Sequence, residues 1–298
     1  MRIFAQGWSD RKDGPGHRRI YYLKGCNLHC RWCASPESIA PQPELLFYPE
    51  RADGEVLDYL CPHGAICGHT LNRAICGNCS DHACSKFKHT ALEWVGRERS
   101  PEDLEQEVLL LASGWHDFGG VTFGGGEPTL QAAELLDCME RLKRHRIHTA
   151  FESNATTPEF PRVARCADLT IADLKAGTPE VFRNCTGGNL NAVLEHLTEA
   201  VESVPVLLIR VPVITGMNDD PEELARIAEH LAKLHRRRLA VRSKPLDVEV
   251  LKLHHYGAPK YQALNRKYEL TGRQAPSPEI LRQFEKTLAV SGITLQRN

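Results

Sequence analysis

A strand, a helix and a second strand follow one another in residues 168–213, DLTIADLKAGTPEVFRNCTGGNLNAVLEHLTEAVESVPVLLIRVPV. The apolar runs at 168–175 and 205–213 have the length of strands, and residues 189–203 carry a helical pattern between them. Strands separated by helices of about 10–15 residues are typical of βαβ units, whose two strands are parallel. This stretch therefore predicts an α/β fold built on a parallel sheet.

The same alternation covers most of the chain. Further strand patterns occur at 17–24, 119–123, 148–152 and 247–253, and helical patterns begin at 101 and cover 129–144, 158–165, 219–234, 258–268 and 278–291. These elements make six strand–helix repeats if the helix of the first repeat is displaced beyond the cysteine-rich stretch 45–99. Because parallel sheets carry their active sites at the C-terminal ends of the strands, we expect the chemistry there. Arg236–Arg238, near the predicted end of the helix at 219–234, are interpreted as a solvated helix end.

Composition excludes several classes of protein. The chain has 298 residues, of which 42% are hydrophobic and 25% charged, as in an ordinary folded globular protein. The net charge of −1 gives no basic excess, so we expect no nucleic-acid partner. No apolar run reaches the roughly 18 residues of a membrane span, and the N-terminal segment lacks the apolar core of a secretory signal. We therefore expect a cytoplasmic protein with no membrane partner.

Eleven cysteines are the unusual feature of the composition, and their odd number argues against a disulfide framework. Cys26, Cys30 and Cys33 form a Cx3Cx2C loop directly after the strand at 17–24. Three thiolates on one tight loop can hold three irons of a 4Fe–4S cluster and leave the fourth iron open to a substrate. The alternatives are a zinc site that includes His29 and three unrelated core thiols.

The segment DGPGHRRIYYLKGCNLHCRWCASPES (13–38) resembles the signature of the glycyl-radical-enzyme activating enzymes, a family of radical S-adenosylmethionine (SAM) enzymes. The resemblance continues in the family's order through GGGEPTLQ (124–131), ADLK (172–175), Arg210 and Pro212 with TGMND (215–219), and LHHYGAPKY (253–261). It implies a partial (β/α)6 radical-SAM barrel formed by residues 1–44 and 100–298. It also implies the family's activity, in which SAM is cleaved reductively and the resulting 5′-deoxyadenosyl radical takes a hydrogen atom from a glycine of a partner enzyme. The partners would be a glycyl radical enzyme and, as electron donor, flavodoxin or ferredoxin.

The resemblance also implies which residues contact SAM. In the cysteine loop these are Trp32 and Ala34, and after the second strand it is Gly126. Asp173, Leu174 and Lys175 end the fourth strand, although Asp173 and Lys175 could instead form a surface ion pair. Glu152 stands where relatives commonly have Asp, and together with Asp173 it resembles the ligand set of a monovalent cation. The remaining SAM-binding residues would be Arg210, whose partner could instead be an acidic residue of the barrel, and His254.

The stretch 45–99 resembles a reduced form of the ferredoxin-like insertion of some activating enzymes. In two-cluster ferredoxins the last cysteine of one run binds the other cluster. The loss of one cluster would therefore leave a single set of four ligands for a second 4Fe–4S cluster: Cys61, Cys76, Cys79 and Cys84. Cys67 is left over. A structural zinc held by the same four thiolates is the alternative.

Two other functions compete with the activating enzyme. One is a radical-SAM enzyme that acts on a small molecule, such as a carboxydeazaguanine synthase; the segment 13–18 and the insertion disfavour it. The other is a non-catalytic electron carrier with two clusters, which the three-cysteine loop disfavours because a carrier needs no open iron.

Overall fold

The computed structural model describes residues 1–52, 56–112, 115 and 119–296. Within these ranges the strands are β1 (Arg2–Asp10), β2 (His17–Leu23), β3 (Glu44–Phe47), β4 (Ile66–Cys67), β5 (Thr70–Leu71), β6 (Leu92–Val95), β7 (Arg97–Glu98), β8 (Gly119–Gly125), β9 (Thr149–Ser153), β10 (Leu169–Asp173), β11 (Leu207–Val213) and β12 (Asp247–Lys252). The α-helices of the same ranges are α1 (Arg73–Gly77), α2 (Pro101–Ala112), α3 (Ala132–Arg144), α4 (Phe160–Cys166), α5 (Pro179–Thr186), α6 (Leu190–Ser203), α7 (Pro221–Arg242), α8 (Ala258–Ala263) and α9 (Pro278–Val290).

The main sheet has the strand order β12-β11-β10-β9-β8-β2-β1-β7. The six strands from β12 to β2 are parallel to one another, and β1 and β7 extend the sheet in antiparallel pairing. Because β12 and β7 are the two ends of the sheet, the barrel is open. The predicted α/β class and partial six-stranded barrel are confirmed. Across the described ranges, every helix falls short of the length and apolarity that a bilayer crossing requires.

Burial explains why the parallel strands form where the apolar runs predict them. All seven residues of β11 are buried, which is typical of a strand covered on both faces. The principal core packs one face of the sheet against α2, α3, α6, α7 and α9, and a separate small cluster that includes Ile171 and Leu208 lies on the other face. As a result, residues that follow the strands are held at one edge of a rigid scaffold.

Four elements of the barrel differ from the prediction, and one of them is α8, which ends at Ala263 instead of near residue 268. β1 pairs antiparallel with β2 and has no counterpart in the predicted strands. α5 is a capped helix in a stretch that carried no predicted element: Thr178 accepts a hydrogen bond from the N–H of Val181 at its start. α7 continues beyond residue 234 to Arg242.

The interpretation of Arg236–Arg238 as a solvated helix end is wrong for Arg238. Because α7 runs on, Arg238 lies inside it and is 2% exposed. Its guanidinium donates to the carbonyl oxygens of Val201 (3.2 Å), Val204 (3.1 Å) and Pro205 (2.9 Å) at the end of α6. Arg238 therefore satisfies carbonyl groups that the end of a helix leaves without partners.

Short elements fill the cysteine-rich stretch between β3 and β7. β3 pairs antiparallel with β6, and β4 pairs with β5. A separate small apolar cluster holds this part together; it includes Phe47, Leu57, Leu60, Ile66 and Ala91. Residues 53–55 of the predicted insertion lie outside the described residues.

Candidate active site

The three cysteines of the first loop face one cavity of about 220 Å³ at the C-terminal ends of the parallel strands. Inside the loop, the N–H of Cys33 donates to the carbonyl oxygen of Cys30 (2.9 Å). The loop is also tied to the end of α5, where the carbonyl of Thr186 accepts from the N–H of His29 (2.8 Å). The thiols of Cys26, Cys30 and Cys33 therefore line the cavity together.

The environment of these thiols fits a metal cluster. Burial raises the pKa of Cys26 and of Cys30 to about 12 and that of Cys33 to about 11. As free thiols they would stay protonated at neutral pH, so a strong cationic ligand is needed to hold all three as thiolates. Iron in a 4Fe–4S cluster is such a ligand, and thiolate is the donor it takes.

A glycine turn after β8 forms the wall next to the cysteine loop. The N–H of Gly126 donates to the carbonyl of Leu23 (2.9 Å), and the N–H of Glu127 donates to that of Gly25 (2.8 Å). A Cβ atom on Gly126 would lie 2.1 Å from the carbonyl oxygen of Gly25. Only glycine fits at position 126, because a side chain there would clash with the main chain of Gly25, and Gly126 lines the cavity.

Glu127 is fully buried behind the next wall of the cavity and holds the residues of that wall by hydrogen bonds. Its Oε1 accepts from the hydroxyl of Ser153 (2.8 Å) and the N–H of Thr129 (3.1 Å), and its Oε2 accepts from the N–H of Asn154 (2.8 Å). Asn154 in turn points Nδ2 at Cys26 Sγ, 3.9 Å away. Sequence reasoning missed Ser153 and Asn154, although both directly follow Glu152 at a strand end, the position where functional side chains are expected.

Asp173 and Lys175 form an ion pair in the cavity wall, with Lys175 Nζ 2.6 Å from Asp173 Oδ2. The ion pair considered as an alternative therefore forms, but it is partly buried in the cavity wall, with side chains 12% and 27% exposed. Burial disfavours the charge on Lys175, but Asp173 and the nearby cysteines outweigh it and raise the pKa of Lys175. Between the pair, Leu174 is buried in the core and its N–H donates to the carbonyl of Arg210 (2.9 Å).

Arg210 is buried in the interior of the barrel below the cavity and does not line it. Its guanidinium binds Glu249 (Nε to Oε2, 2.7 Å), Glu152 and Asp13 (Nη1 to Oδ1, 3.4 Å). The partners of Arg210 are thus acidic residues of the barrel, one of the two alternatives that the sequence left open. Burial raises the pKa of Glu152 to about 8, against the opposing effect of Arg210. Glu152 itself lines the cavity.

The remaining predicted SAM contacts lie along the rim. Trp32, Ala34 and His254 all line the cavity. The exposed ring of His254 stacks on Tyr256 with 4.4 Å between the ring centroids. The structure thus brings together every predicted SAM-binding residue except Leu174 and Arg210 in the lining of one cavity.

The four cysteines assigned to the second cluster line another, smaller cavity together with Ile75 and Trp94: Cys61, Cys76, Cys79 and Cys84. α1 carries Cys76, and the N–H of Cys79 donates to the carbonyl of Cys76 (3.2 Å). Cys67 is exposed and is not part of this lining. Next to the cavity, ligand atoms of His63, Cys79 and Asp81 lie within 4.8 Å of one another.

Comparison with known proteins agrees with this geometry. Residues 20–228 match the model of the radical SAM superfamily. The chain is 32% identical over 287 residues to the isethionate sulfite-lyase activating enzyme of Desulfovibrio desulfuricans, covering 90% of this chain and 85% of the relative. It is 31% identical over 294 residues to the trans-4-hydroxy-L-proline dehydratase activating enzyme of Clostridioides difficile, covering 94% and 93%. The crystal structure of Streptococcus suis SuiB bound to precursor peptide SuiA shares the fold, with a TM-score of 0.54 at 10% identity over 93% of this chain and 48% of that chain. The chain therefore belongs to the radical SAM superfamily and, within it, to the glycyl-radical-enzyme activating enzymes, which cleave SAM reductively and abstract a hydrogen atom from a glycine of a partner enzyme.

Proposed function

We propose that Cys26, Cys30 and Cys33 hold the 4Fe–4S cluster of this activating enzyme and that SAM binds in the same cavity. The observation that carries the proposal is the convergence of the three partly buried thiols, the main chain of Gly126 and the pair Asp173–Lys175 on one cavity at the strand ends. When bound, the cluster would supply the electron for the reductive cleavage of SAM on which hydrogen abstraction from glycine depends. The protein binds and orients SAM and keeps water from the reacting atoms.

Each wall of the cavity suits one part of SAM. The main chain at Gly126 lines the cavity and can meet the methionine moiety, and glycine is required there because a side chain would clash with Gly25. The Lys175 ammonium, held by Asp173, is a fixed cation for the SAM carboxylate. Trp32, Ala34 and the ring of His254 are left for the adenosine moiety at the rim.

Arg210 and Leu174 act in this proposal without side-chain contact to SAM. Arg210 is a positioning residue that holds Glu152 from below and joins it to Asp13 of the segment 13–18. Leu174 places the main chain between Asp173 and Lys175 through its bond to the strand of Arg210. A monovalent cation would have to compete with Lys175 for Asp173 and with Arg210 for Glu152.

The proposal assigns a second 4Fe–4S cluster, rather than zinc, to Cys61, Cys76, Cys79 and Cys84 in an insertion that covers residues 45–99. Tetrahedral zinc with Zn–S bonds of about 2.3 Å brings its sulfur atoms to within about 3.8 Å of one another. Among the described residues, no three of these four thiols have their sulfur atoms within 4.8 Å of one another. That wider spacing favours a cluster, whose four corners are farther apart than the ligands of one metal ion.

Metal analysis tests the number of clusters. After anaerobic reconstitution we expect about eight irons per chain, because seven ligands serve two 4Fe–4S clusters. About four irons with one zinc would overturn the assignment of the second site and leave the first one standing.

Two cysteine variants separate the roles of the two sites. Cys30→Ala should abolish reductive SAM cleavage, because two thiolates cannot hold the first cluster. Cys79→Ala should retain cleavage driven by dithionite, a small reductant that can reach the first cluster directly. If a folded Cys79→Ala protein keeps the first cluster and is as inactive as Cys30→Ala, a relay role for the second cluster is wrong.

The partner is a glycyl radical enzyme, and its identity is the open part of the proposal. The two relatives named above activate a sulfite-lyase and a dehydratase, respectively, so about 30% identity does not single out one partner. A flavodoxin or ferredoxin is the proposed electron donor. The open side of the barrel supports entry of a glycine loop, because β12 and β7 do not close on each other. Incubation with each candidate glycyl radical enzyme, followed by electron paramagnetic resonance (EPR), identifies the partner that acquires a radical.

A further inference from the structure

Arg73 joins the ligand helix of the second site to the barrel. It is the first residue of α1, the helix that also carries Cys76. Its Nη1 donates to the carbonyl oxygen of Leu45 in β3 (2.7 Å), and its Nη2 donates to that of Ala263, the last residue of α8. One guanidinium therefore crosses from the small cysteine-rich part of the chain to the barrel.

The third donor of this guanidinium has no partner. Nε of Arg73 is buried, and no described residue accepts a hydrogen bond from it. Residues three apart lie on the same side of a helix, so Arg73 and Cys76 are neighbours. Burial raises the pKa of the Cys76 thiol, and the Arg73 charge opposes that rise. Arg73 is thus a partly desolvated cation whose charge acts on one of the four thiols.

The start of α8 lies against the first cysteine loop. Gly257 precedes α8, and a Cβ atom there would lie 3.0 Å from the carbonyl oxygen of Cys33 and 3.1 Å from Cα of Ala34. α8 has six residues, which gives it a length of about 9 Å. One short helix therefore contacts the loop of the first site at its start and Arg73 of the second site at its end.

From this arrangement we infer that Arg73 is a positioning residue with two effects: it raises the reduction potential of the cluster held by Cys61, Cys76, Cys79 and Cys84, and it fixes that cluster at the end of α8. This inference rests on the proposed second cluster. Reduction adds one negative charge, which a nearby cation stabilises most where water is excluded. Hydrogen bonds to the sulfur atoms and local charge are the factors by which proteins tune such clusters.

Redox titration of the second cluster alone tests the inference. The Cys30→Ala background removes the first cluster, and EPR then follows reduction of the remaining one. We expect Arg73→Gln to shift the reduction equilibrium at least tenfold toward the oxidised form, which is about 59 mV for one electron. Arg73→Lys keeps the charge and should give a smaller shift in the same direction. Lys86→Gln is the matched control, because Lys86 is an exposed cation in the same part of the chain, and it should shift the equilibrium less than threefold.

The outcomes separate this inference from the proposed function. If Arg73→Gln keeps its cluster and titrates as the parent protein does, the inference is overturned. If Arg73→Gln loses the cluster, Arg73→Lys decides: a shifted equilibrium supports the inference, and an unchanged one reduces Arg73 to a structural role. Zinc in place of the second cluster would overturn both the inference and the assignment of the second site, and metal analysis detects it independently.

Discussion

Replacement of Glu127 by glutamine tests the organisation of the cavity wall. Glu127 meets four donors: the N–H and hydroxyl of Thr129, the hydroxyl of Ser153 and the N–H of Asn154. Burial raises the pKa of Glu127, and these hydrogen bonds act in the opposite direction. Because four donors require acceptors, we infer that the carboxyl is ionised. Glutamine keeps the shape of the side chain but turns one acceptor oxygen into a donor.

The expected loss of stability follows from the way in which the four hydrogen bonds are divided between the two carboxylate oxygens of Glu127. Glutamine can keep its oxygen at the Oε1 position, where three bonds remain, but its amino group then meets the N–H of Asn154. One buried donor loses its acceptor, which costs about 1–3 kcal/mol. At a central value of about 2 kcal/mol, and about 2–4 °C per kcal/mol for a chain of this size, the Tm should fall by about 4–8 °C.

The assay is anaerobic thermal unfolding of the reconstituted protein, followed by circular dichroism. Glu134→Gln on the exposed side of α3 is the matched control and should change stability by about 0.5 kcal/mol or less. If Glu127→Gln unfolds at the same temperature as the parent protein, the buried carboxyl is protonated and itself donates a hydrogen bond. That result would refute the assignment of Glu127 as an ionised acceptor.

Three other substitutions test separate parts of the account. Gly126→Ala should weaken SAM binding at least tenfold in equilibrium dialysis, because its Cβ atom would lie 2.1 Å from a main-chain oxygen. Gly7→Ala is the control: its Cβ atom would have no other atom within 4 Å, and it should bind SAM normally. Burial lowers the pKa of His235, whose Nδ1 accepts a main-chain N–H at 3.2 Å. As the pH falls, the His235 imidazole is therefore protonated in the unfolded chain before it is protonated in the folded one, so the free energy of unfolding should decrease below a pH of about 6.5. Denaturant titrations at several pH values should show a weaker dependence of this free energy on pH for His235→Gln. Arg238→Met leaves four carbonyl groups without their donor and should cost about 2–4 kcal/mol in the same titrations, against about 0–1 kcal/mol for the exposed Arg237→Gln.

The parallel strands could be predicted because their apolar runs are long and helices separate them. β1 could not: its sequence RIFAQGWSD mixes polar residues and glycine into the strand, and its burial pattern follows no alternation. β1 forms because it pairs with β2, and such tertiary pairing leaves no pattern in the local sequence. The same limit applies to Arg238, since three neighbouring arginines look alike until the true end of α7 is known.

The grouping of the cysteines around two cavities could be predicted, because their spacing and the family resemblance are both visible in the sequence. The supporting residues could not, because their partners lie far along the chain. Asn154 reaches Cys26 across 128 positions, and Arg210 reaches Asp13 across 197. Resemblance to the family placed Arg210 at the cofactor, whereas the structure gives it three acidic partners inside the barrel. Arg73 belongs to none of the sequence motifs, and its link to the barrel is seen only in the structure, where α8 lies next to α1.

The most direct test of the central claim is EPR on a mixture of the reconstituted chain, SAM, reductant and the glycyl radical enzyme that it activates. The partner is prepared once with ordinary glycine and once with α-deuterated glycine. We expect a doublet for the ordinary protein, split by the single α-hydrogen that remains on the radical carbon, and collapse of that doublet in the deuterated protein. A doublet that survives deuteration would place the radical on another residue and contradict the claim that this chain abstracts hydrogen from glycine.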